Sequence, residues 1–153
     1  MKYWLMKTEP SCYSVDDLMR DGVSMWDDVR NYQARNFIRD EMENGDRVLF
    51  YHSNTKPIGI AGVAEISGSA YSDPTQFDSS SYKFDDKSTK SSPRWFAIDV
   101  KFIARFSEPV TLTELKRDPF FDDMLVTQKG MRLSVQPVAK KHFIRIVNLS
   151  NNR

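Results

Sequence analysis

The sequence is poor in the residues that build cofactor, metal and redox chemistry. A single cysteine, Cys12, cannot form an internal disulfide, so no oxidised scaffold supports the fold and a reducing compartment is the simple reading. One cysteine also excludes cysteine-rich zinc sites and iron–sulfur clusters. The only histidines, His52 and His142, stand in no ligand spacing, so neither a metal nor any other cofactor is expected. The patterns G-x-x-x-x-G-K and G-x-G-x-x-G are both absent, which disfavours nucleotide hydrolysis and dinucleotide redox chemistry. No apolar run reaches the length of a membrane span, and the stretch between Lys2 and Lys7 is too short for a signal peptide. A chain of 153 residues buries about 69% of its unfolded surface around one core and leaves roughly 8,000 Å² exposed. These absences predict a soluble, cytoplasmic, monomeric protein with one domain over residues 1–153.

Charge of one sign is also missing, since 22 basic residues face 21 acidic ones and leave a net +1. That sum conceals a gradient. Residues 1–93 carry 11 basic and 15 acidic groups, residues 94–153 carry 11 and 6, and from Met124 onward there are six cations and no acid. The basic end, with Lys129, Arg132, Lys140 and Lys141, together with Arg30 upstream, is the candidate phosphate-contacting surface. It reads equally as a solvated helix face.

Hydropathy and turn chemistry divide the chain into short elements. Tyr3 to Thr8 reads as a strand stopped at Glu9-Pro10, and Ser14-Val15-Asp16-Asp17 as the capped start of a helix ending at Gly22. Helical spacing of Ala34, Phe37, Ile38 and Met42 predicts a helix over 31–43. Val48 to Tyr51 and Ile58 to Ile66 read as strands of a hairpin, with Gly59 and Gly62 marking a bulge or a close backbone approach. Trp95 to Phe106 is the longest strand candidate. Thr111 to Glu114 is a capping box, Arg132 to Val138 a strand, and Ala139 to Val147 a closing amphipathic helix. Residues 72–93 are rich in Ser, Asp and Lys around Phe77, Tyr82 and Phe84, a pattern that predicts a loop folded back on the body by its aromatics. Strands interrupted by short helices predict an α+β domain around a small, mainly antiparallel β-barrel.

The densest recognition chemistry lies in Trp26-Asp27-Asp28-Val29-Arg30-Asn31-Tyr32-Gln33-Ala34-Arg35-Asn36, which offers π-platforms, guanidinium forks and amide edges, the groups that stack on and read nucleobases. Phe50-Tyr51-His52-Ser53-Asn54 and Ser134-Val135-Gln136-Pro137 add polar and aromatic groups at strand ends. His52 by itself reads as a structural imidazole, because no nucleophile motif accompanies it. Lys7, just before the end of the first strand, could act as a base with a carboxylate partner, though a structural ion pair fits as well.

These segments carry a family likeness. Tyr3-Trp4-Leu5-Met6-Lys7-Thr8-Glu9-Pro10, Trp26 to Asn36, Leu49 to Asn54, Pro93-Arg94-Trp95 and Arg132 to Pro137 resemble, in order, the EVE domain family, over residues 2 to about 149. The resemblance implies a PUA-like fold related to the YTH and ASCH domains. It also implies recognition of a modified base, such as methylated or hydroxymethylated cytosine, flipped out of a duplex or in a single strand. Carried over by motif, the pocket groups would be Lys7, Trp26, Asn31, Tyr32, Arg35, Tyr51, His52, Ser53, Trp95 and Gln136. The chain departs from the family at Asp28, where glycine usually follows the Trp-Asp pair, and it lacks the extended basic tail of nuclear members, which disfavours a nuclear location.

The leading expectation is therefore a non-enzymatic module binding DNA or RNA that carries a modified base. The alternative is an ASCH-like amidohydrolase acting on modified nucleosides, with Lys7 and Glu9 or Glu65 as base and partner. A protein adaptor using the 72–93 loop is a third reading.

Overall fold

The computed structural model describes residues 1–153. The apolar runs Trp4-Leu5-Met6 and Val48-Leu49-Phe50-Tyr51 have the composition of strands covered on both faces, and they lie in adjacent strands within the sheet. β1 (Tyr3–Thr8) runs parallel to β3 (Arg47–His52), with Leu5 opposite Leu49. β4 (Gly59–Ser72) pairs antiparallel with β3, β5 (Phe96–Thr111) with β4, β2 (Val23–Trp26) with β5, and β6 (Val135–Val138) with the free side of β1. The order is β2-β5-β4-β3-β1-β6. The fold is thus α+β and mainly antiparallel, as the sequence predicts.

The expected barrel is not closed. β2 and β6 form the two edges and share no ladder. Residues Ser24 to Trp26 of β2 and Ser134 at the entry to β6 line one cavity instead. The seam that hydrogen bonds would close in a barrel is a cleft here.

Side chains alternate along each strand and so feed two cores. Trp4, Met6, Val48 and Phe50 point into one, roofed by α1 (Val15–Asp21) and α2 (Tyr32–Asn36) through Val15, Leu18 and Ala34. Leu5, Leu49 and Tyr51 point into the other, covered by α3 (Leu112–Arg117) and α4 (Lys140–Asn151) through Leu115 and Ile146. The folded chain exposes 8306 Å², close to the expectation from its length. The predicted capping box of Thr111 with Glu114 forms, and the predicted N-cap Ser14 proves to be half of a second one, with Asp17.

Several boundaries differ from expectation. The helix predicted over 31–43 is α2 followed by a π-turn, Phe37–Glu41. β6 begins at Val135 rather than Arg132, and α4 runs to Asn151. β2 was not anticipated, because four residues, Val-Ser-Met-Trp, are too few for a periodicity to register. The glycines behave as their pattern suggests: a Cβ on Gly59 would lie 2.5 Å from the Val110 carbonyl oxygen, and the β4–β5 register slips between Ile60 and Gly62.

Residues 72–93 do fold back, but polar groups hold them. Tyr82 is 87% exposed and Phe84 44%, whereas Asp73 and Gln76 are fully buried. Gln76 satisfies its whole amide: Nε2 donates to the carbonyls of Asp73 and Trp95 and to Ser72 Oγ, and Oε1 accepts from Ser88 Oγ and the Arg94 and Trp95 amides. Asp73 accepts from Thr75 through Oδ1 and, at 3.0 Å each, from the Asp28 amide and Arg30 Nη1 through Oδ2. Buried polar groups survive when every donor and acceptor is matched, and this cluster meets that condition.

Candidate functional site

The seam cavity has a volume of about 670 Å³. Its walls come from four places: Lys7, Thr8 and Glu9 at the carboxyl end of β1, with Cys12 and Tyr13 beyond; Ser24 to Trp26 at the end of β2, with the turn Asp27 to Val29; Tyr82 and Lys83 at the tip of the 72–93 loop; and Ser134 before β6. Trp26 is held edge-on against Phe50, ring centroids 5.5 Å apart, so its orientation is set by the first core. The chain reverses after it at Asp28, whose φ of 64° is left-handed. Aspartate tolerates that region better than most residues.

The loop tip is tied to this turn. Lys83 Nζ donates to Asp27 Oδ2 at 3.0 Å, and the Tyr82 hydroxyl to Asp28 Oδ2 at 3.4 Å. Burial, the largest single influence, would lower the Lys83 pKa, but the hydrogen bond and charge of Asp27 together with the charges of Tyr82 and Asp28 outweigh it and raise the group above its ordinary value. Lys7 lacks such a partner. Its Nζ donates to the Met131 carbonyl at 3.2 Å and lies 5.6 Å from the Tyr51 ring centre, and burial pulls its pKa down. Glu65 cannot serve as its partner: it pairs with Arg47 at 3.8 Å, in register with Tyr3, four residues or about 13 Å up the strand.

Of the ten residues that the motifs suggested for a base pocket, Lys7 and Trp26 line the cleft. The other eight have separate duties. Asn31 caps α2, accepting from the Ala34 amide at 3.0 Å. His52 Nε2 accepts from the Val15 amide at 3.1 Å, which makes it a neutral cap for α1, and burial lowers its pKa accordingly. Ser53 binds back to the Thr8 carbonyl. Tyr51 is in the second core, where burial pushes its hydroxyl up to about 12. Gln136 is buried, donating to Leu133 O. Tyr32 and Trp95 stack on each other, centroids 4.9 Å apart, outside the cavity, and Arg35 donates to the Arg94 carbonyl beside them.

The five expected phosphate contacts also divide. Arg30 is an internal pin, bound to Asp73, Thr75 and the Lys83 carbonyl. Lys140 and Lys141 sit at the wrong end of the sheet for the cleft: Val138 pairs with Tyr3, roughly 15 Å along β1 from Thr8. Lys129 and Arg132 are on the segment that carries Met131 to Lys7, and both are exposed. Asp27, Asp28 and Ser134 line the cleft from within the recognition motifs although none was assigned to the base pocket, and Tyr13, Ser24, Met25, Tyr82 and Lys83 are wall residues that sequence reasoning did not place in a site. The signal for Tyr82 and Lys83 was an aromatic residue in a polar loop, but nothing local says which wall that loop will complete.

An open mixed sheet with a polar and aromatic cleft in its unclosed seam defines a PUA-like domain. The chain belongs to the EVE domain family, which matches residues 2–149. It is 36% identical over 167 residues to human thymocyte nuclear protein 1, covering 96% of this chain and 73% of that one. The crystal structure of human THYN1 in complex with 5-methylcytosine-containing DNA superposes with a TM-score of 0.91 at 35% identity, covering 100% and 99% of the two chains. A structure from Pseudomonas syringae gives 0.93 at 44% identity over 97% and 99%. A Zygosaccharomyces rouxii YTH domain shares the fold at a TM-score of 0.56 and 19% identity, covering 97% and 85%. No helix is long and apolar enough to cross a membrane. The expectation of a cytoplasmic protein gains no support from relatives that carry a nuclear name.

Proposed function

We propose that this chain binds DNA carrying a modified cytosine and takes the base into the seam cleft, with Trp26 and Tyr82 as its stacking surfaces. The observation that carries the reading is a cavity of about 670 Å³ with an aromatic ring from β2 and another from the loop tip in its walls, together with polar groups from β1. That volume is in the range of small-molecule pockets, and the similar human protein is seen with 5-methylcytosine-containing DNA. Extruding a base costs a few kcal/mol, which stacking at roughly 1–3 kcal/mol per base offsets. The reading is of binding without turnover: Lys7 Nζ bonds to the Met131 carbonyl and to no carboxylate, Glu65 being held by Arg47 and Glu9 accepting from Asn54 and Cys12.

A buried methyl group is worth about 0.8 kcal/mol, so an oligonucleotide with one 5-methylcytosine should bind about fourfold tighter than its plain counterpart. Titrating both by fluorescence anisotropy checks this, with the matching RNA as a second arm. Equal affinity of methylated and plain DNA would overturn the proposal.

Asp28 offers a sharper variant. Asp28→Gly keeps the left-handed turn and removes one of three carboxylates from the cleft walls. Affinity for DNA should rise roughly three- to fivefold, the scale of one screened charge contact. Unchanged affinity at low salt would mean that the nucleic acid does not approach this turn.

A further inference from the structure

Just outside the cleft, aromatic and guanidinium groups gather around the buried Trp95. Tyr32 is 46% exposed although its ring lies against Trp95 at 4.9 Å, with planes inclined by 24°. Arg35 lies 4.7 Å from the Tyr32 ring centre and Arg94 5.6 Å, while Arg30 backs Trp95 at 5.5 Å. Three of the four nearby guanidiniums have carboxylate partners: Arg30 with Asp73, Arg39 with Asp40, and Arg94 with Asp85. Arg35 has none; its bonds go to the Arg94 carbonyl and the Asn36 amide oxygen. Burial and the like charges of Arg39 and Arg94 lower its pKa, the mark of a cation that an added anion would stabilise.

The same two segments build both places. One runs from Trp26 to Tyr32; the other runs from Tyr82 and Lys83 to Asp85, which accepts from Trp95 Nε1 and Arg94. Lys83 and Asp85 are two residues apart, at most about 7 Å of chain. Charge separates them. The cleft walls carry Glu9, Asp27 and Asp28 against Lys7 and Lys83, an acidic excess that cannot attract a polyanion, whereas the neighbouring patch holds the unpaired Arg35.

We infer that the Tyr32–Arg35–Arg94 patch is a second contact site on the DNA strand, in which a nucleotide flanking the captured base stacks on Tyr32 and its phosphate meets Arg35. This rests on the reading that the cleft takes a base, and it supplies the phosphate contact that the cleft lacks. Base recognition and strand affinity are then separable.

The test compares one 5-methylcytosine mononucleotide with a seven-nucleotide single strand carrying the same base at its centre, against the parent, Tyr32→Ala and Arg35→Gln. Both variants should hold the mononucleotide within twofold of the parent. They should bind the heptamer roughly tenfold more weakly, and Arg35→Gln should reduce the slope of log affinity against log salt by about 0.7, one single-strand phosphate contact. Tyr32→Phe, which loses the hydroxyl contact to Arg94 and keeps the ring, should behave as the parent and reports on folding. Parent-like heptamer affinity and salt slope in both variants would overturn the inference while leaving the cleft reading intact. Loss of mononucleotide and heptamer binding in equal measure would place Tyr32 and Arg35 in support of the cleft itself and overturn it too. A parent that binds neither ligand removes the base-binding reading and this inference with it.

Discussion

Replacing Trp26 by alanine is expected to erase the preference for a methylated over a plain cytosine and to weaken binding of the methylated strand by roughly 5- to 150-fold, the range of one lost stacking contact. The ring is the only cleft aromatic anchored on a β-strand, fixed edge-on to Phe50. It is therefore preorganised, and the stacking energy is not spent on ordering a side chain. Truncation also opens a void against the first core, and a buried Trp→Ala change costs about 3–5 kcal/mol; the partly buried Trp26 should cost less. Trp26→Phe separates the two effects, because it restores a stacking face and much of the volume. Anisotropy titrations and a thermal melt on both variants check the argument. A folded Trp26→Ala protein that still discriminates the methyl group would show that the base lies elsewhere.

The second large effect is expected at Asp73, which touches no ligand. Asp73→Ala removes the acceptor for Thr75, for the Asp28 amide and for Arg30, whose guanidinium is then left partly buried without its counter-charge. Breaking a buried pair from one side costs roughly 3–5 kcal/mol. For a chain of this size, 3 kcal/mol is a fall in Tm of about 6–12 °C. Because the same residue ties the loop to the Asp28 turn, protease cleavage within 78–92 should accelerate and base preference should fall together.

Acid should act on the same bond. Burial alone would raise the Asp73 carboxyl, but the hydrogen bonds from Thr75, Asp28 and Arg30 outweigh it and hold it below the ordinary aspartate value. A depressed carboxyl contributes stability that is complete above its unfolded pKa, near 4, and is lost as pH falls through the lower folded value. The difference in Tm between parent and Asp73→Ala should therefore shrink as pH drops below about 4. Equal melting of the two proteins at neutral pH would show that the loop is held by Gln76 without Asp73.

Much of the fold could be read along the chain because the deciding interactions are local. Ser14 with Asp17 and Thr111 with Glu114 are three residues apart, so two helix starts are visible in four-letter patterns. The runs at 4–6 and 48–51 announce strands with both faces covered. The site was less legible. Trp26 and Lys7 stand out by type, and both line the cleft. Asn31, His52 and Gln136 are equally conspicuous by type, yet serve as caps and buried links, because an amide or imidazole that can read a base edge can also satisfy a backbone amide. Residue type gives capacity, and neighbours decide its use.

The α+β class, the order and approximate ends of most elements, the family and the exclusion of cysteine-built centres all follow from composition, short-range periodicity or motif, and so could be read along the chain. Three features arise with the assembled fold. It left the sheet open between β2 and β6, turned the expected barrel seam into a cleft, and divided one eleven-residue motif between that cleft and an arginine-rich patch beside it. The reason is range. Strand edges meet, or fail to meet, across more than a hundred residues of chain, and the 72–93 loop completes a wall through Asp73 bonds to Asp28 and Arg30, more than forty residues away. No window of sequence holds both partners of such a contact, so the pairing is fixed only when the whole chain has folded.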